Sequence, residues 1–223
     1  MEREMVIDFG FLRKGAEDFR HLLGRGYPRK NSLELIGNRY SLTKEQRDLL
    51  HRGVFSPEDA AARREKVLSI EALEGVALAV DGYNVLITVE AGLCRRPLIL
   101  ADDGLIRDIS GLSSGYRVTS ITHKAIDLIV ERLISSHPKR VVFLFDSPIS
   151  KSGRLASWVT DRLRASRLAG EAQAVRVPET ILMGYPGLVA TSDSAIIDGV
   201  KAVVDLAAHV IQDRVPEAQL IAL

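Results

Sequence analysis

The chain contains one cysteine, Cys94, among its 223 residues. A single cysteine cannot form an intramolecular disulfide, and it excludes a zinc site built from several cysteines. No apolar run approaches 18 residues without a charge, so no membrane span is predicted. The N-terminus, Met1 to Glu4, carries charges of both signs and lacks the apolar stretch of a signal peptide. These absences favour a cytoplasmic protein without a membrane partner.

Charge is nearly balanced over the whole chain but is unevenly distributed. The formal net charge is +1, yet the segment from Arg20 to Arg52 has eight basic and three acidic residues, a net charge of +5. The remainder of the chain therefore carries −4. A basic segment attached to an acidic body indicates an anionic partner.

The first 66 residues are predicted to form a small, basic, helical subdomain. Apolar residues at helical spacing predict a helix over 8–23, and the short apolar piece at 32–36 is also predicted to be helical. Thr43 and Gln46 form a capping box that opens a helix to about His51. Ser56 and Pro57 open another helix, which runs to about residue 66.

Residues 67–223 are predicted to form an α/β domain, because strand-like runs there alternate with helical segments. Such alternation indicates a mainly parallel sheet with helices on both faces. Asp103-Gly104 predicts the turn of a hairpin over 98–109, and a loop is expected at 111–115. The remaining predicted elements are strand 76–81, helix 120–136, strand 141–146, helix 152–169, strands 174–177 and 188–192, and helix 194–212.

Three of the predicted strands run into an aspartate: Asp81, Asp146 and Asp193. Parallel strands present their carboxyl ends at one edge of a sheet, so these carboxylates are expected to converge there. Converging carboxylates repel one another unless a cation lies between them, and Mg²⁺ or Mn²⁺ prefers oxygen ligands. The pattern predicts a divalent-metal site suited to attack of water on a phosphoryl group.

Two further residues belong to this predicted site. Asn84, three residues after Asp81, is expected to orient a water or a phosphate oxygen, and Asp198 is expected to be a further metal ligand. The alternative interpretation is structural, because aspartates commonly end strands and cap helices. On that interpretation Asp146 belongs to a turn and Asp193 is only an N-cap.

The motif Val80-Asp81-Gly82-Tyr83-Asn84-Val85 resembles the first motif of the PIN-like nuclease superfamily, in its NYN branch. The runs 142–146 and 191–197 resemble its second-strand and fourth-strand motifs. The resemblance covers roughly 76–212 and implies a Mg²⁺- or Mn²⁺-dependent endoribonuclease with Asp81, Asp146 and Asp193 as metal ligands. PIN-like nucleases usually carry another acid on a helix between the third and fourth strands. Here that interval, 178–187, is too short for a full helix, so Glu179 or Asp198 would have to substitute.

The basic segment carries a second resemblance. The runs 25–30 and 37–40 resemble the signature of an uncharacterised, largely archaeal family of unknown function, which pairs such an N-terminal region with a PIN-like region. Basic and aromatic side chains interleave here, as suits phosphate contacts and base stacking on RNA. The candidate RNA-binding residues are Arg25, Tyr27, Arg29, Lys30, Arg39 and Tyr40. The alternative is a solvated helical subdomain with the tyrosines in its core.

Two other functions remain open from the sequence. A haloacid-dehalogenase-like phosphatase would use Asp193 and Asp198 as its metal motif, with Lys151 on the phosphate. It would also need an acid two residues after Asp81, where this chain has Tyr83, a phenol with an ordinary pKa near 10. The other alternative is a catalytically inactive PIN-like module that binds nucleic acid or protein. The sequence leaves homo-oligomerisation open.

Overall fold

The computed structural model describes residues 9–109 and 116–223; the loop predicted at 111–115 lies outside these ranges. The chain begins with helices α1 (Phe9–Gly24), α2 (Arg29–Arg39), α3 (Lys44–Gly53) and α4 (Pro57–Arg64). The predicted capping box opens α3, since the Thr43 hydroxyl accepts from the Gln46 N–H while the Gln46 side chain accepts from the Thr43 N–H. Ser56 caps α4, with Pro57 in its first turn. The helical N-terminal region is thereby confirmed.

The rest of the described chain alternates strands and helices. The strands are β1 (Val67–Leu68), β2 (Ala77–Asp81), β3 (Leu98–Leu100), β4 (Ile106–Asp108), β5 (Arg140–Asp146), β6 (Gly170–Val175), β7 (Leu188–Ala190), β8 (Val203–Val204) and β9 (Leu220–Ala222). The helices are α5 (Gly82–Leu93), α6 (Ser120–Ser135), α7 (Ser152–Ala165), α8 (Pro178–Met183), α9 (Ser194–Gly199) and α10 (Leu206–Arg214), with a 3₁₀ turn at Ile70–Leu73.

Six strands form the main sheet in the order β1-β8-β7-β2-β5-β6, and neighbouring strands run parallel. Helices cover both faces of this sheet. Alternate residues of a strand point to opposite sides, so apolar side chains on each face pack against helices. Leu78 and Val80 of β2 pack in the core with α5, α6, α7 and α10. Ala79, between them, packs on the other side with Leu182 of α8 and Ile196 of α9. The predicted α/β fold with a mainly parallel sheet is confirmed.

A smaller sheet joins the N-terminal helices to this body. Strands β3 and β4 form the predicted antiparallel hairpin, and β9 adds to β3 in parallel. Ile99 of β3 and Ile221 of β9 are buried in the same core cluster as Leu12 of α1 and Leu49 of α3. Contact is close: a Cβ on Gly53 would lie 2.5 Å from a side-chain carbon of Ile99. The helical region therefore shares a core with the hairpin.

Some predicted elements differ in the structure. The helix expected over 194–212 is two helices, α9 and α10, separated by β8, because Val203 and Val204 are fully buried in the sheet between β1 and β7. The strand expected at 174–177 begins at Gly170, and the helix expected to end at residue 169 ends at Ala165. Helix α5, which follows Asp81, was not predicted. Within the described ranges, no helix is long and apolar enough to cross a membrane.

Candidate active site

A cavity of about 310 Å³ lies where the central strands of the main sheet end. Strand β2 is flanked by β5 and β7, and the parallel register brings the ends of all three strands to the same edge. This is the position at which open α/β sheets place their ligands. The residues that line the cavity are Arg52, Asp81, Tyr83, Asn84, Ile87, Asp108, Asp146, Glu179, Asp193 and Ile196.

Asp81 is the most buried of the three strand-end aspartates, with 8% of its surface exposed. Its Oδ2 accepts a hydrogen bond of 2.8 Å from the Thr191 hydroxyl. Burial, together with the charges of Asp193 and Asp146, raises the pKa of Asp81 to about 7, against the opposing effect of the Thr191 hydrogen bond. The site thus concentrates negative charge that the surrounding protein does not neutralise.

Close packing explains why glycine, Gly82, follows Asp81 in the motif. Helix α5 starts directly at the end of β2 and passes close to the neighbouring strand β5. A Cβ at Gly82 would lie 2.7 Å from the carbonyl oxygen of Leu144 and 2.6 Å from the ring of Phe145. Only glycine allows the backbone to turn this tightly and keep the Asp81 carboxyl at the sheet edge.

Asn84 is held in place by the loop that follows β7. Its Oδ1 accepts from both the backbone N–H of Ser192, at 2.8 Å, and the Ser192 hydroxyl, at 3.1 Å. These two bonds occupy the oxygen of the amide, so the amide nitrogen remains as the donor at the cavity. The arrangement suits a contact with an anionic oxygen.

Asp193 both caps a helix and lines the cavity. Its Oδ1 accepts from the backbone N–H groups of Ala195 and Ile196, at 2.9 and 3.2 Å, at the start of α9. Its own N–H donates to the Thr191 hydroxyl at 3.0 Å, the same hydroxyl that donates to Asp81. The structural and functional interpretations of Asp193 are therefore compatible, because capping uses one carboxylate oxygen and the other accepts no hydrogen bond from the described residues.

The cavity is also lined by Asp146, at the end of β5, and by Glu179, in α8. The pKa of Asp146 is raised, first by burial and then by the charge of Glu179. The interval 178–187, predicted to be too short for a full helix, contains the six-residue helix α8. This helix brings Glu179 to the acidic cavity.

Asp198 lies apart from these acids. Its two carboxylate oxygens accept from Nε and Nη2 of Arg63, each at 2.8 Å, and this pairing lowers the pKa of Asp198. Asp198 is absent from the described lining of the acidic cavity. Nor do any three His, Cys, Asp or Glu side chains, within 9–109 and 116–223, approach one another closely enough to form a complete metal-ligand cluster.

A second, larger cavity of about 620 Å³ adjoins the acidic one. It is lined by four arginines, Arg29, Arg52, Arg63 and Arg107, the first three from the N-terminal helices α2, α3 and α4. Arg52 and Asp193 line both cavities, so the two are contiguous. The N-terminal region thus contributes side chains directly to the edge of the sheet.

The six candidate RNA-binding residues are distributed over different surfaces. Tyr27 and Arg29 line the arginine-rich cavity, whereas Arg25 lines a separate depression and Lys30 is exposed. Arg39 and Tyr40 lie near Asp18 instead: the Tyr40 hydroxyl donates to its Oδ2 at 2.7 Å, and the Arg39 Nε lies 3.7 Å from the same atom. The structure therefore brings two of the six to the site.

Among the cavity residues that sequence reasoning missed are Arg52, Arg63, Arg107 and Asp108. Asp108 ends β4, so its signal was the same as that of the other strand-end aspartates, although the hairpin strand belongs to another sheet. Arg52 had no signal beyond its place in the basic segment. Arg107 lies in a hairpin, and only the tertiary packing brings it beside Ser192, to whose carbonyl oxygen its Nε donates at 2.7 Å.

The features of a haloacid-dehalogenase-like phosphatase do not assemble here. Asp198, the second acid of its metal motif, is engaged by Arg63. Tyr83 occupies the position of the acid/base residue, and it is 2% exposed and packs edge-on against Phe145 and Tyr116. Burial, followed by the charge of Asp146, raises the pKa of Tyr83 to about 12, so this phenol is a poor proton donor or acceptor near neutral pH.

The fold and site define a parallel α/β protein that gathers carboxylates at the C-terminal edge of its central strands, beside an arginine-rich cavity. The chain belongs to the family described as "Domain of unknown function (DUF5616)", whose model matches residues 70–209. Residues 11–66 match the model described as "Protein of unknown function (DUF434)". These two ranges adjoin the domain boundary predicted after residue 66, which stays a prediction.

A relative from an archaeon is similar over nearly its whole length. "Uncharacterized protein MJ0935" from Methanocaldococcus jannaschii is 34% identical over 203 residues, which cover 90% of this chain and 97% of the relative. No solved structure matches the chain. The resemblance to an uncharacterised family with archaeal members is thereby confirmed.

Proposed function

We propose that this protein is a Mg²⁺- or Mn²⁺-dependent phosphodiester hydrolase that acts on RNA, with a PIN-like active site. One observation carries the proposal: Asp81, Asp146, Glu179 and Asp193 line a single cavity at the edge of the sheet. Burial, and then the charges of neighbouring carboxylates, raise the pKa of Asp81 and that of Asp146, and a bound cation would offset both effects.

The donor chemistry of this cavity fits a hard divalent cation. Its acidic ligands are all carboxylates, with oxygen donors, and the described lining contains no histidine or cysteine. Asp81, Asp146 and Asp193 do not form a complete ligand cluster in the described structure, so they would hold the ion partly through its bound waters, with Glu179 completing the acidic set in place of Asp198. When bound, such an ion supplies positive charge to phosphoryl oxygens and acidifies water.

The polar residues of the chain would then position the substrate. The Asn84 amide nitrogen, left as a donor by the two bonds from Ser192, would donate to a phosphate oxygen. Thr191 holds the Asp81 carboxyl through one hydrogen bond and the Asp193 backbone through another. Arg52, which lines both cavities, would contact the anionic backbone of the RNA.

The test is cleavage of single-stranded RNA with and without Mn²⁺, using Asp81→Asn, Glu179→Gln and Asp198→Asn. The proposal expects the first two variants to lose cleavage. Asp198→Asn should keep it, because Asp198 pairs with Arg63 outside the acidic cavity. A matched surface control is Asp161→Asn, which changes an exposed ion pair with Arg164. Undiminished Mn²⁺-dependent cleavage by Asp81→Asn would refute the assignment.

One observation favours a second candidate, a catalytically inactive module that binds RNA. In the described part of the chain no three potential ligands are close enough to form a complete metal-ligand cluster. The two candidates differ in their response to Mn²⁺. An active site should raise the free energy of unfolding by about 2.7 kcal/mol when Mn²⁺ is at 100 times its Kd, and Asp81→Asn should abolish this gain. A binding module should bind RNA equally well in EDTA and show no such stabilisation.

A further inference from the structure

The arginine-rich cavity is built around one aromatic ring. The guanidinium carbons of Arg29, Arg63 and Arg107 lie 4.8, 4.5 and 5.0 Å from the centroid of Phe55. Phe55 itself is 6% exposed, so it forms the floor of the cavity. Three cations around one ring repel one another, and the arrangement requires anions nearby.

Carboxylates compensate only part of this charge. Asp103 accepts from both Nη atoms of Arg107 at 2.7 Å, and Asp198 makes the two-bond pair with Arg63. Arg29 donates only to a backbone carbonyl, that of His51, and has no ion pair with a described carboxylate. The Arg52 side chain makes no hydrogen bond or ion pair with any residue in the described ranges. In the described part of the chain, neither of these two guanidinium groups is hydrogen-bonded or ion-paired to a carboxylate; Asp59 and Asp102 act on Arg29 only through their charges.

A third donor at the cavity also lacks an acceptor. The Nη1 atom of Arg63 is buried and makes no hydrogen bond within the described chain; its nearest carboxylate oxygen, on Asp103, is 3.8 Å away. The Arg63 side chain is 9% exposed, so bulk water does not readily solvate this group. Burial, followed by the charges of Arg63 and Arg107, lowers the pKa of Arg29 to about 10, which agrees with an excess of positive charge.

We propose that this cavity binds a terminal phosphomonoester of a nucleic-acid strand. A phosphomonoester carries a charge of about −1.5 to −2 at pH 7 and three acceptor oxygens. It therefore matches the two unpaired guanidinium groups of Arg29 and Arg52 better than an internal phosphodiester, which carries one negative charge. The planar fork of arginine suits such an anion, and Tyr27, 57% exposed at the same cavity, offers a face on which the terminal base can stack.

The position of the cavity gives the phosphate a role in substrate choice, and this step rests on the proposed function. Because Arg52 and Asp193 line both cavities, a strand whose end is held by the arginines would continue into the acidic cavity. The substrate class is then RNA with a phosphorylated end, cleaved near that end.

The experiment compares three short single-stranded RNAs of one sequence, with a 5′-phosphate, a 3′-phosphate or hydroxyls at both ends. Binding is measured in EDTA at constant ionic strength, so that cleavage plays no part. One phosphorylated form should bind about tenfold or more tightly than the unphosphorylated RNA, because only the terminal phosphate makes charge-assisted bonds to the arginines. Inorganic phosphate should compete for this preference.

Arg52→Gln should remove most of the preference, whereas Lys44→Gln should keep it. Both changes remove one positive charge from α3, but the exposed Lys44 lines neither cavity. If Arg52→Gln does not fold by circular dichroism, Arg52→Lys replaces it, with a partial loss expected. Equal binding of the three RNAs, or equal effects of Arg52→Gln and Lys44→Gln, would overturn the proposal. A preference in EDTA without Mn²⁺-dependent cleavage would support the phosphate site and refute the hydrolase.

Discussion

Replacing Asp81 by asparagine should stabilise the protein at alkaline pH. The Asp81 carboxyl is buried, it receives one side-chain hydrogen bond, from Thr191 at 2.8 Å, and its pKa is raised to about 7 by burial and by Asp193 and Asp146. Asparagine has nearly the same shape and keeps an oxygen that accepts the Thr191 hydroxyl. The substitution therefore removes the charge and leaves the packing almost unchanged.

The sign follows from proton binding in the two states. Between pH 3.8 and about 7 the folded protein keeps a proton on Asp81 that the unfolded chain has released, so the Asp81 contribution to stability falls as pH rises through this window. At 1.36 kcal/mol for each pKa unit, Asp81→Asn should gain about 4 kcal/mol at pH 8 and about 2 kcal/mol at pH 5. The diagnostic quantity is the increase, from pH 5 to pH 8, in the free energy of unfolding that Asp81→Asn gains over wild type.

The assay is urea denaturation of wild type and Asp81→Asn at pH 5 and pH 8 in EDTA, so that no divalent ion neutralises the site. Asp161→Asn, at an exposed surface ion pair, serves as the control and should change stability by less than about 0.5 kcal/mol at both pH values. A gain from Asp81→Asn that does not grow from pH 5 to pH 8 would refute the inference that this carboxylate lacks compensation. A loss of stability at pH 8 would refute it more directly.

Three further predictions use the same denaturation measurement. Thr191→Val removes the hydroxyl that donates to the Asp81 carboxylate. It should lower the free energy of unfolding by about 1.5–3 kcal/mol at pH 8, where Asp81 is ionised, and by less at pH 5. An equal loss at both pH values would contradict the assigned role. Gly82→Ala should cost at least about 2 kcal/mol, since its Cβ would lie 2.7 Å from the Leu144 carbonyl oxygen; a neutral effect would mean that the turn relaxes. Thr43→Ala should cost about 1 kcal/mol by breaking the capping box, and Thr43→Ser should restore most of it.

Much of the fold could be predicted because its signals are local. The continuous apolar runs of β2 and β5 identify strands that are buried on both faces of a parallel sheet before any tertiary contact is known. The helix starts at Thr43 and Ser56 are equally local, since a capping hydroxyl bonds a backbone N–H only three residues away.

The errors lie where tertiary packing overrides a local pattern. The run 194–212 is apolar enough to be one helix, yet Val203 and Val204 complete the sheet between β1 and β7. Asp198 shows the same limit for the site: its spacing from Asp193 suggested a ligand, but Arg63, 135 residues earlier, takes both of its oxygens. No local pattern reports a partner so distant in sequence.

The sequence by itself determined that β2 and β5 end in aspartate, that another aspartate follows β7, and that parallel pairing would bring Asp81, Asp146 and Asp193 to one edge. This follows from strand periodicity and from the common direction of parallel strands. Only the tertiary structure decided what surrounds those acids: α8 brings Glu179 to the cavity, and α3 brings Arg52 to the junction of the two cavities. The physical reason is that local periodicity orients a side chain within its own element, whereas charge compensation depends on which distant elements share a core.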